Sequence, residues 1–235
     1  MSNTFYEQVG VAMTCRGFDE YRAMFQLKDE ELAAGSILDV AGGGSSFTAE
    51  ARKKGYDAMA ADPRYSGDIR AWVEEARGEI EASTAKLDGL RDRFDWGYYG
   101  SLENHRSGRE KSLMLFAEHV AAAEGEYRYI GGSLPELPFD NNHFSLVLCS
   151  HFLFLYAEQF GYAFHEASIR ELMRVCRPGG TIRVYPLMSL KWEPYEQLDE
   201  LMEVVRKAGG TPEIRESGLP FIPGSDRMLH IVKNP

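Results

Sequence analysis

The sequence predicts an α/β fold in which a mostly parallel sheet ends in an antiparallel pair of strands. A short apolar run at 37–41 is followed by a glycine turn, a helical pattern and a second apolar run at 56–62, which is the order of a βαβ unit. The same alternation of strands and helices resumes after residue 125. Two final strand-like runs, at 211–217 and 227–234, have no helix between them and are therefore expected to pair antiparallel.

The remaining elements are predicted from the spacing of apolar residues. Strands buried on both faces of a parallel sheet are short continuous apolar runs, whereas helices place apolar residues three or four positions apart. These patterns predict further strands within 127–132, 144–156 and 181–187, and helices at 17–33, 47–54, 163–176 and 196–208.

The middle of the chain interrupts this alternation. Apolar residues between 68 and 94 recur at close to heptad spacing, which predicts one long amphipathic helix. An aromatic and polar loop is predicted to follow as far as residue 110, and a second helix from 110 to 123. We interpret 65–125 as a helical insertion within a single domain that spans 1–235, because so short a block buries too little apolar surface to fold alone.

The acidic composition argues against nucleic acid as a partner. Asp and Glu number 36 against 26 Lys and Arg, the net charge is −10, and no basic block is present. No apolar run approaches the length of a membrane span, and the first residues lack the pattern of a signal peptide. Cys15, Cys149 and Cys176 lie far apart and are interpreted as free buried thiols, so a cytoplasmic location is expected. The apolar row of the 68–94 helix leaves a homodimer open.

The glycine turn after the first strand predicts a cofactor that contains adenosine. Gly42, Gly43 and Gly44 leave backbone N–H groups open to a ligand at the N-terminus of a helix. Asp62 ends the next strand, about twenty residues further on, where an acid can bind a ribose diol. The turn lacks the lysine of a phosphate-binding loop, and bulky Phe47 stands where a dinucleotide site has its third glycine.

The segment "ILDVAGGGSS" resembles the first motif of the Rossmann-like (class I) S-adenosylmethionine-dependent methyltransferases. Asp39 matches the acid of that motif and Gly43 its middle glycine, whereas Ala41 and Ser45 replace its other two glycines. The segment "AADPRY" is similar to the second motif, in which Asp62 would be the ribose-binding acid.

Two later segments extend the resemblance. "GGSLPELPFDNNHFSLVL" is similar to the family's adenine-binding segment and fourth strand, with Ser133 and Leu134 at the positions that meet the adenine. "RELMRVCRPGGTIRV" is similar to the turn before the fifth strand. The resemblance implies a seven-stranded sheet and direct methyl transfer from S-adenosylmethionine to a small-molecule acceptor. The alternatives are a homologue that uses the cofactor for another reaction, and a non-catalytic cofactor-binding protein.

The resemblance also suggests where the acceptor lies. Ser150 and His151 follow the fourth strand, whose end faces the methionine part of the cofactor in this family. His151 is predicted to be a general base or an acceptor contact, and the alternative is a histidine that caps the strand. In "WGYYGSLENH", Tyr99 and His105 are predicted to line the acceptor pocket, whereas the alternative is that these aromatic residues anchor the insertion.

Two further interpretations concern neighbouring segments. "MTCRGFDEYRAMF", near the N-terminus, has the mixture of residues expected of a lid over the cofactor. Arg106 and Arg109 could neutralise an acidic acceptor, but we interpret them as solvated surface residues.

Overall fold

The protein is described here by a computed structural model that covers Gln8 and residues 10–235. Its centre is a seven-stranded mixed sheet with the strand order β3-β2-β1-β4-β5-β7-β6, in which β7 runs antiparallel to both of its neighbours. The strands are β1 (Ile37–Val40), β2 (Ala58–Ala61), β3 (Tyr129–Ile130), β4 (Phe144–Ser150), β5 (Cys176–Tyr185), β6 (Gly210–Glu216) and β7 (Arg227–Lys233). The predicted fold class, including the final antiparallel pair, is therefore confirmed.

Seven α-helices accompany the sheet in the described part of the chain. They are α1 (Phe18–Met24), α2 (Asp29–Leu32), α3 (Phe47–Lys53), α4 (Ile69–Gly89), α5 (Leu102–Val120), α6 (Tyr162–Val175) and α7 (Leu198–Lys207). The central strands β1 and β4 are buried along their whole length, which explains why each is a continuous apolar run.

The prediction of one helix over 17–33 is wrong, because α1 ends at Met24 and α2 begins at Asp29. Gln26, between them, has a φ of 50° and so lies in the left-handed region, which ends a helix. Side chains from distant strands and loops bind the carbonyl groups at the end of α1: Arg183 donates to the Phe25 oxygen at 2.6 Å, and Ser217 to the Met24 oxygen at 2.9 Å. These tertiary contacts replace the hydrogen bonds that a continuous helix would make.

Helix α5 begins eight residues earlier than predicted. Ser101 accepts a hydrogen bond from the Asn104 N–H at 3.1 Å and so caps the helix, which places much of the predicted loop inside α5. His105 and Arg109 therefore lie one turn apart on the same helix face rather than on a loop.

The two long helices α4 and α5 lie between β2 and β3 in the sequence. Helix α4 begins after Asp68, whose side chain caps it, and α5 packs against both α3 and α4. The interpretation of 65–125 as an insertion within one domain stays a prediction. No helix in the described residues is long and apolar enough to cross a membrane.

Two glycines test whether α4 and α5 form as described. Gly78 and Gly108 lie inside these helices, and a Cβ atom at either position would meet nothing within 4 Å. We expect Gly78→Ala and Gly108→Ala each to raise the free energy of unfolding by about 0.5–1 kcal/mol, because alanine loses less backbone entropy in a helix. Gly125→Ala is the control, since its Cβ would lie 2.3 Å from the His119 oxygen and should destabilise. Urea unfolding measures all three, and a loss of stability in both helix variants would contradict the assignment.

Candidate functional site

The site lies where the direction of chain progression across the sheet reverses. Strands β1 and β4 are neighbours in the sheet, with Val40 opposite Cys149. From β1 the chain continues to β2 on one side of this pair, and from β4 it continues to β5 on the other side. In open α/β sheets, ligands bind at such a point, beyond the carboxyl ends of the strands. Ala41 follows β1 with a φ of 56° and His151 follows β4 with a φ of 51°, so both strands end in left-handed residues. Strained residues of this kind are common at binding sites.

Asp62 holds the glycine loop through its backbone. Its carboxylate accepts hydrogen bonds from the Gly43 N–H at 3.2 Å and from the Arg64 N–H at 3.0 Å. Tyr65 donates its hydroxyl to the Gly43 oxygen at 2.7 Å. Because a carboxylate has about four lone-pair positions, Asp62 keeps acceptor capacity for a further hydroxyl group. Burial raises the pKa of Asp62.

Asp39 lies beneath this loop and is fully buried. The Tyr21 hydroxyl donates to both of its carboxylate oxygens, at 3.0 and 3.1 Å. Burial raises the pKa of Asp39 from 3.8 to about 8, and the nearby Asp62 carboxylate adds to the rise. A Cβ at Gly42 would lie 3.1 Å from an Asp39 oxygen, so this position has no room for a side chain.

A cavity of about 400 Å³ opens beside Asp62, and we call it the Asp62 cavity. Four of the residues predicted to bind the cofactor line it: Ala41, Asp62, Ser133 and Leu134. The other four lie elsewhere: Gly42, Gly43 and Asp39 in or under the loop, and Ser150 at the end of β4. The sequence analysis missed the remaining wall: Val11, Val40, Pro63, Arg64, Gly132, Phe152, Phe160 and Phe164. A carboxylate facing apolar and aromatic side chains suits a nucleoside, whose sugar is polar and whose base is flat.

Residues 11–16, which we call the strap, cross over the glycine loop. A Cβ at Gly43 would lie 3.0 Å from the Thr14 oxygen, which shows how closely the two segments approach. Side chains bind the strap backbone along its length: Arg64 at Val11, Tyr156 at Ala12, Glu79 at Met13, Arg109 at Cys15 and Ser45 at Arg16. The strap is thus fixed between distant elements, in the position expected of a lid.

A second cavity, of about 200 Å³, is lined by strap residues 12–16 and by residues from several distant segments. We call it the Arg16 cavity. Its polar lining includes Arg16, Glu79, Lys86, His105, Arg109 and His151. Its apolar lining includes Ile80, Leu87, Phe94, Leu155, Leu190, Trp192, Phe221 and Ile222. The consecutive residues His151 and Phe152 line different cavities, so both cavities lie near the end of β4.

His151 lines this second cavity with one ring nitrogen unused. Its Nδ1 lies 2.9 Å from the Ser150 hydroxyl, and the tautomer of the ring decides which of the two donates. Nε2 is buried and has no hydrogen-bond partner among the described residues. Burial and the nearby guanidinium groups of Arg16 and Arg109 hold the pKa of His151 well below 6.5.

Arg109 belongs to a buried network rather than to the solvated surface, so that interpretation is wrong for this residue. It forms an ion pair with Glu20 at 2.6 Å and donates to the Tyr99 hydroxyl at 2.8 Å. Tyr99 in turn donates to Glu20 at 2.6 Å. Both hydrogen-bonding positions of the Tyr99 hydroxyl are therefore used, and this tyrosine does not line the Arg16 cavity. Arg106 is exposed, as interpreted.

His105 lines the cavity as a neutral ring. Arg109 donates to His105 Nε2 at 3.2 Å, so the ring carries its hydrogen on Nδ1. That Nδ1 is buried and has no partner among the described residues. Burial, with the charges of Arg109 and Arg16, lowers the pKa of His105 to about 2.

A family model described as a methyltransferase domain matches residues 108–184. These residues include the second half of α5, strands β3 and β4, helix α6 and most of β5.

One curated relative and two solved structures are similar to the chain. The relative is an uncharacterized protein of Methanocaldococcus jannaschii, 30% identical over 217 residues, which cover 92% of this chain and 93% of the relative. A TehB-like S-adenosylmethionine-dependent methyltransferase from Corynebacterium glutamicum aligns with a TM-score of 0.48 at 15% identity, over 85% of this chain and 80% of its own. The CcbJ methyltransferase of Streptomyces caelestis aligns with a TM-score of 0.49 at 12% identity, over 86% and 90%.

The raised pKa of Asp39 predicts how stability depends on pH. Between its unfolded pKa of 3.8 and its folded pKa of about 8, the folded state holds more protons, so the free energy of unfolding falls as the pH rises. Asparagine cannot ionise and can still accept from Tyr21. We therefore expect Asp39→Asn to gain stability over the wild type, by more than about 1 kcal/mol, between about pH 5 and about pH 8.5.

Urea unfolding at the two pH values measures this difference, and Asp88→Asn, at an exposed position of α4, is the control. A difference between Asp39→Asn and wild type that is the same at both pH values would contradict the burial of an ionisable Asp39.

Proposed function

Because the chain belongs to the Rossmann-like (class I) S-adenosylmethionine-dependent methyltransferase family, we propose that its methyl acceptor is a small molecule that binds in the Arg16 cavity. The observation that carries this proposal is the cavity itself. It holds about 200 Å³, four polar residues of its wall are buried (Arg16, His105, Arg109 and His151), and His151 adjoins Phe152 of the Asp62 cavity in the chain. A polypeptide or a nucleic acid strand would not fit into so small a space, whereas a small metabolite would.

The cofactor is S-adenosylmethionine, and the Asp62 cavity suits its adenosine part. We propose that Asp62 accepts hydrogen bonds from the ribose hydroxyls with the lone pairs left free by Gly43 and Arg64. Ser133 and Leu134, in the same wall, would contact the adenine. The residues proposed for the methionine part lie around the ends of β1 and β4: Asp39, Ala41, Gly42, Gly43 and Ser150.

His151 is proposed as the general base. S-adenosylmethionine supplies an electrophilic methyl group on a sulfonium, whose neutral thioether is a good leaving group. The protein then has to orient the acceptor and receive a proton when the nucleophile carries one. In the tautomer that this role needs, the Nδ1–H of His151 donates to the Ser150 hydroxyl, which leaves Nε2 as the basic nitrogen. The low pKa of His151 keeps this nitrogen unprotonated at neutral pH.

Tyr99 is proposed as a positioning residue, and His105 as a contact for the acceptor. Tyr99 bonds both Glu20 and Arg109, so it holds these two side chains in place. His105 lines the cavity with an unused Nδ1–H, which can donate to a bound molecule.

A cytoplasmic location and the absence of a nucleic-acid partner are also part of the proposal. The three cysteines are buried free thiols, which fits a reducing compartment. The net charge of −10 opposes binding to a phosphate backbone.

The acceptor class can be tested with methyl-labelled S-adenosylmethionine. The protein is incubated with the label and a cell extract that is afterwards separated into protein, nucleic acid and small-molecule fractions. We expect enzyme-dependent label in the small-molecule fraction. Label confined to protein or nucleic acid would contradict the proposal, and heat-inactivated enzyme is the control.

The role of His151 predicts a pH profile for the acceptor found in this way. Because a lowered pKa keeps the base unprotonated to a lower pH, kcat/KM should show no inflection near the ordinary histidine pKa of about 6.5. We expect His151→Ala to lower kcat about 10²- to 10⁴-fold, with the dissociation constant for S-adenosylhomocysteine unchanged.

His143→Ala, at an exposed histidine, is the matched control. Full turnover by His151→Ala would reject a general base at this position.

A further inference from the structure

Arg16 is a buried cation without a counter-ion in direct contact. Its side chain is 7% exposed, and both Nε and Nη1 are buried without a hydrogen-bond partner. No carboxylate in the described part of the chain lies within 4.0 Å of its guanidinium, because Glu20 is paired with Arg109 instead. A buried guanidinium with unused donors carries a large desolvation cost, which a ligand of opposite charge would offset.

The two guanidinium groups in the wall of the Arg16 cavity differ in their ion pairs. Arg109 is paired with Glu20 at 2.6 Å, whereas no carboxylate among the described residues lies within 4.0 Å of Arg16. The carboxylate in the wall, Glu79, accepts the Met13 N–H at 2.7 Å. The guanidinium of Arg16 is therefore left without an ion-pair partner. The field of this charge contributes to the low pKa values of both His105 and His151.

His105 supplies a neutral donor in the same cavity. Its Nδ1–H is buried and unpartnered, because Arg109 occupies the other ring nitrogen. The wall of this cavity thus offers donors from a cation and from a neutral ring. That combination binds an oxyanion, which accepts several hydrogen bonds at once.

The opposite wall is apolar and aromatic. Trp192, Phe221 and Phe94 pack against one another, with ring centroids 4.9 Å apart for the two phenylalanines and 5.9 Å for Phe94 and Trp192. His105 stacks on Phe221 at 5.0 Å, so the polar and apolar walls are continuous. A ligand that fills this space would therefore bear its charge at one end only.

We propose that the methyl acceptor is a small acid, with a carboxylate or phosphate group that binds Arg16 and an apolar body that packs against Phe94, Trp192 and Phe221. This inference rests on the proposed function of the Arg16 cavity and adds the chemical class of the acceptor to it. His105 gives the oxyanion a second donor, and His151, beside Phe152 of the Asp62 cavity in the chain, faces the methyl-accepting end of the molecule.

The cofactor also carries a carboxylate, on its methionine part. The position of Arg16 favours the acceptor, because Arg16 lines this cavity and does not line the Asp62 cavity. Helices α4 and α5 and the segments after β5 and β6 also line this cavity and do not contribute to the Asp62 cavity, whereas the segment after β4 contributes to both. The second experiment distinguishes whether Arg16 binds the carboxylate of the acceptor or that of the cofactor.

The first experiment measures charge preference in the unmodified protein. Ligand-observed NMR titration gives dissociation constants for two pairs of similar shape, benzoate with benzamide and phenyl phosphate with benzenesulfonamide, with and without S-adenosylhomocysteine. We expect at least one anion to bind about 10-fold more tightly than its neutral counterpart, the effect of one charge-assisted hydrogen bond. A preference in the benzoate pair indicates a carboxylate on the acceptor, and a preference in the phenyl phosphate pair indicates a phosphate. Equal or absent binding within both pairs would overturn the proposal.

The second experiment assigns the preference to Arg16. Arg16→Gln should reduce the preference for the anion over its neutral counterpart to less than about 3-fold, and Arg16→Lys should keep part of this preference. Arg106→Gln, at an exposed position of α5, should leave the preference unchanged. S-adenosylhomocysteine and 5′-methylthioadenosine, which lacks the carboxylate, are titrated into the same variants. Arg16→Gln should leave both affinities within about 2-fold of wild type.

Two outcomes are read separately. If Arg16→Gln weakens S-adenosylhomocysteine but not 5′-methylthioadenosine, Arg16 binds the cofactor and the present proposal fails. If the unmodified protein binds no S-adenosylhomocysteine, the proposed function fails whatever the anions do. Should Arg16→Gln not fold, the charge preference of the unmodified protein and the Arg16→Lys variant still decide the question.

Discussion

The ion pair between Glu20 and Arg109 is the interaction on which the site depends. It joins α1 to α5, and Arg109 also donates to the Cys15 oxygen at 2.8 Å, which fixes the strap. Both side chains are buried, so the loss of either would leave an uncompensated charge in the interior, a change that typically costs about 3–5 kcal/mol. Because strap residues 12–16 line the Arg16 cavity and Val11 lines the Asp62 cavity, this one pair helps to fix the walls of both cavities.

The same arrangement explains the chemistry of His151. Two parallel strands end side by side, and the residue after each is in the left-handed conformation. The turn of the backbone at His151 places its ring in one cavity while Phe152 lines the other. Burial and two guanidinium groups then keep the ring neutral. Fold topology, backbone strain and electrostatics thus act on a single side chain at the end of β4.

The sequence predicted the parts of this structure that depend on local signals. The glycine loop, Asp62 and the buried strands follow from short motifs, and the structure has these strands in the expected sheet. The Arg16 cavity could not be predicted in this way, because its wall comes from the strap, α4, α5 and the segments after β4, β5 and β6. The burial of Arg109 was missed for a related reason: its partner Glu20 is 89 residues away. Only the placement of Arg16 in the segment interpreted as a lid hinted at its role.

The central claim is that the Asp62 cavity binds the cofactor through its ribose. The most direct measurement is a calorimetric titration of S-adenosylhomocysteine into the wild type, Asp62→Ala and Asp88→Ala, the last being an exposed control on α4. We expect Asp62→Ala to weaken binding of S-adenosylhomocysteine about 10-fold or more, as expected for hydrogen bonds to a charged group, and Asp88→Ala to bind as the wild type does. An unchanged affinity in Asp62→Ala would contradict a contact between Asp62 and the ribose.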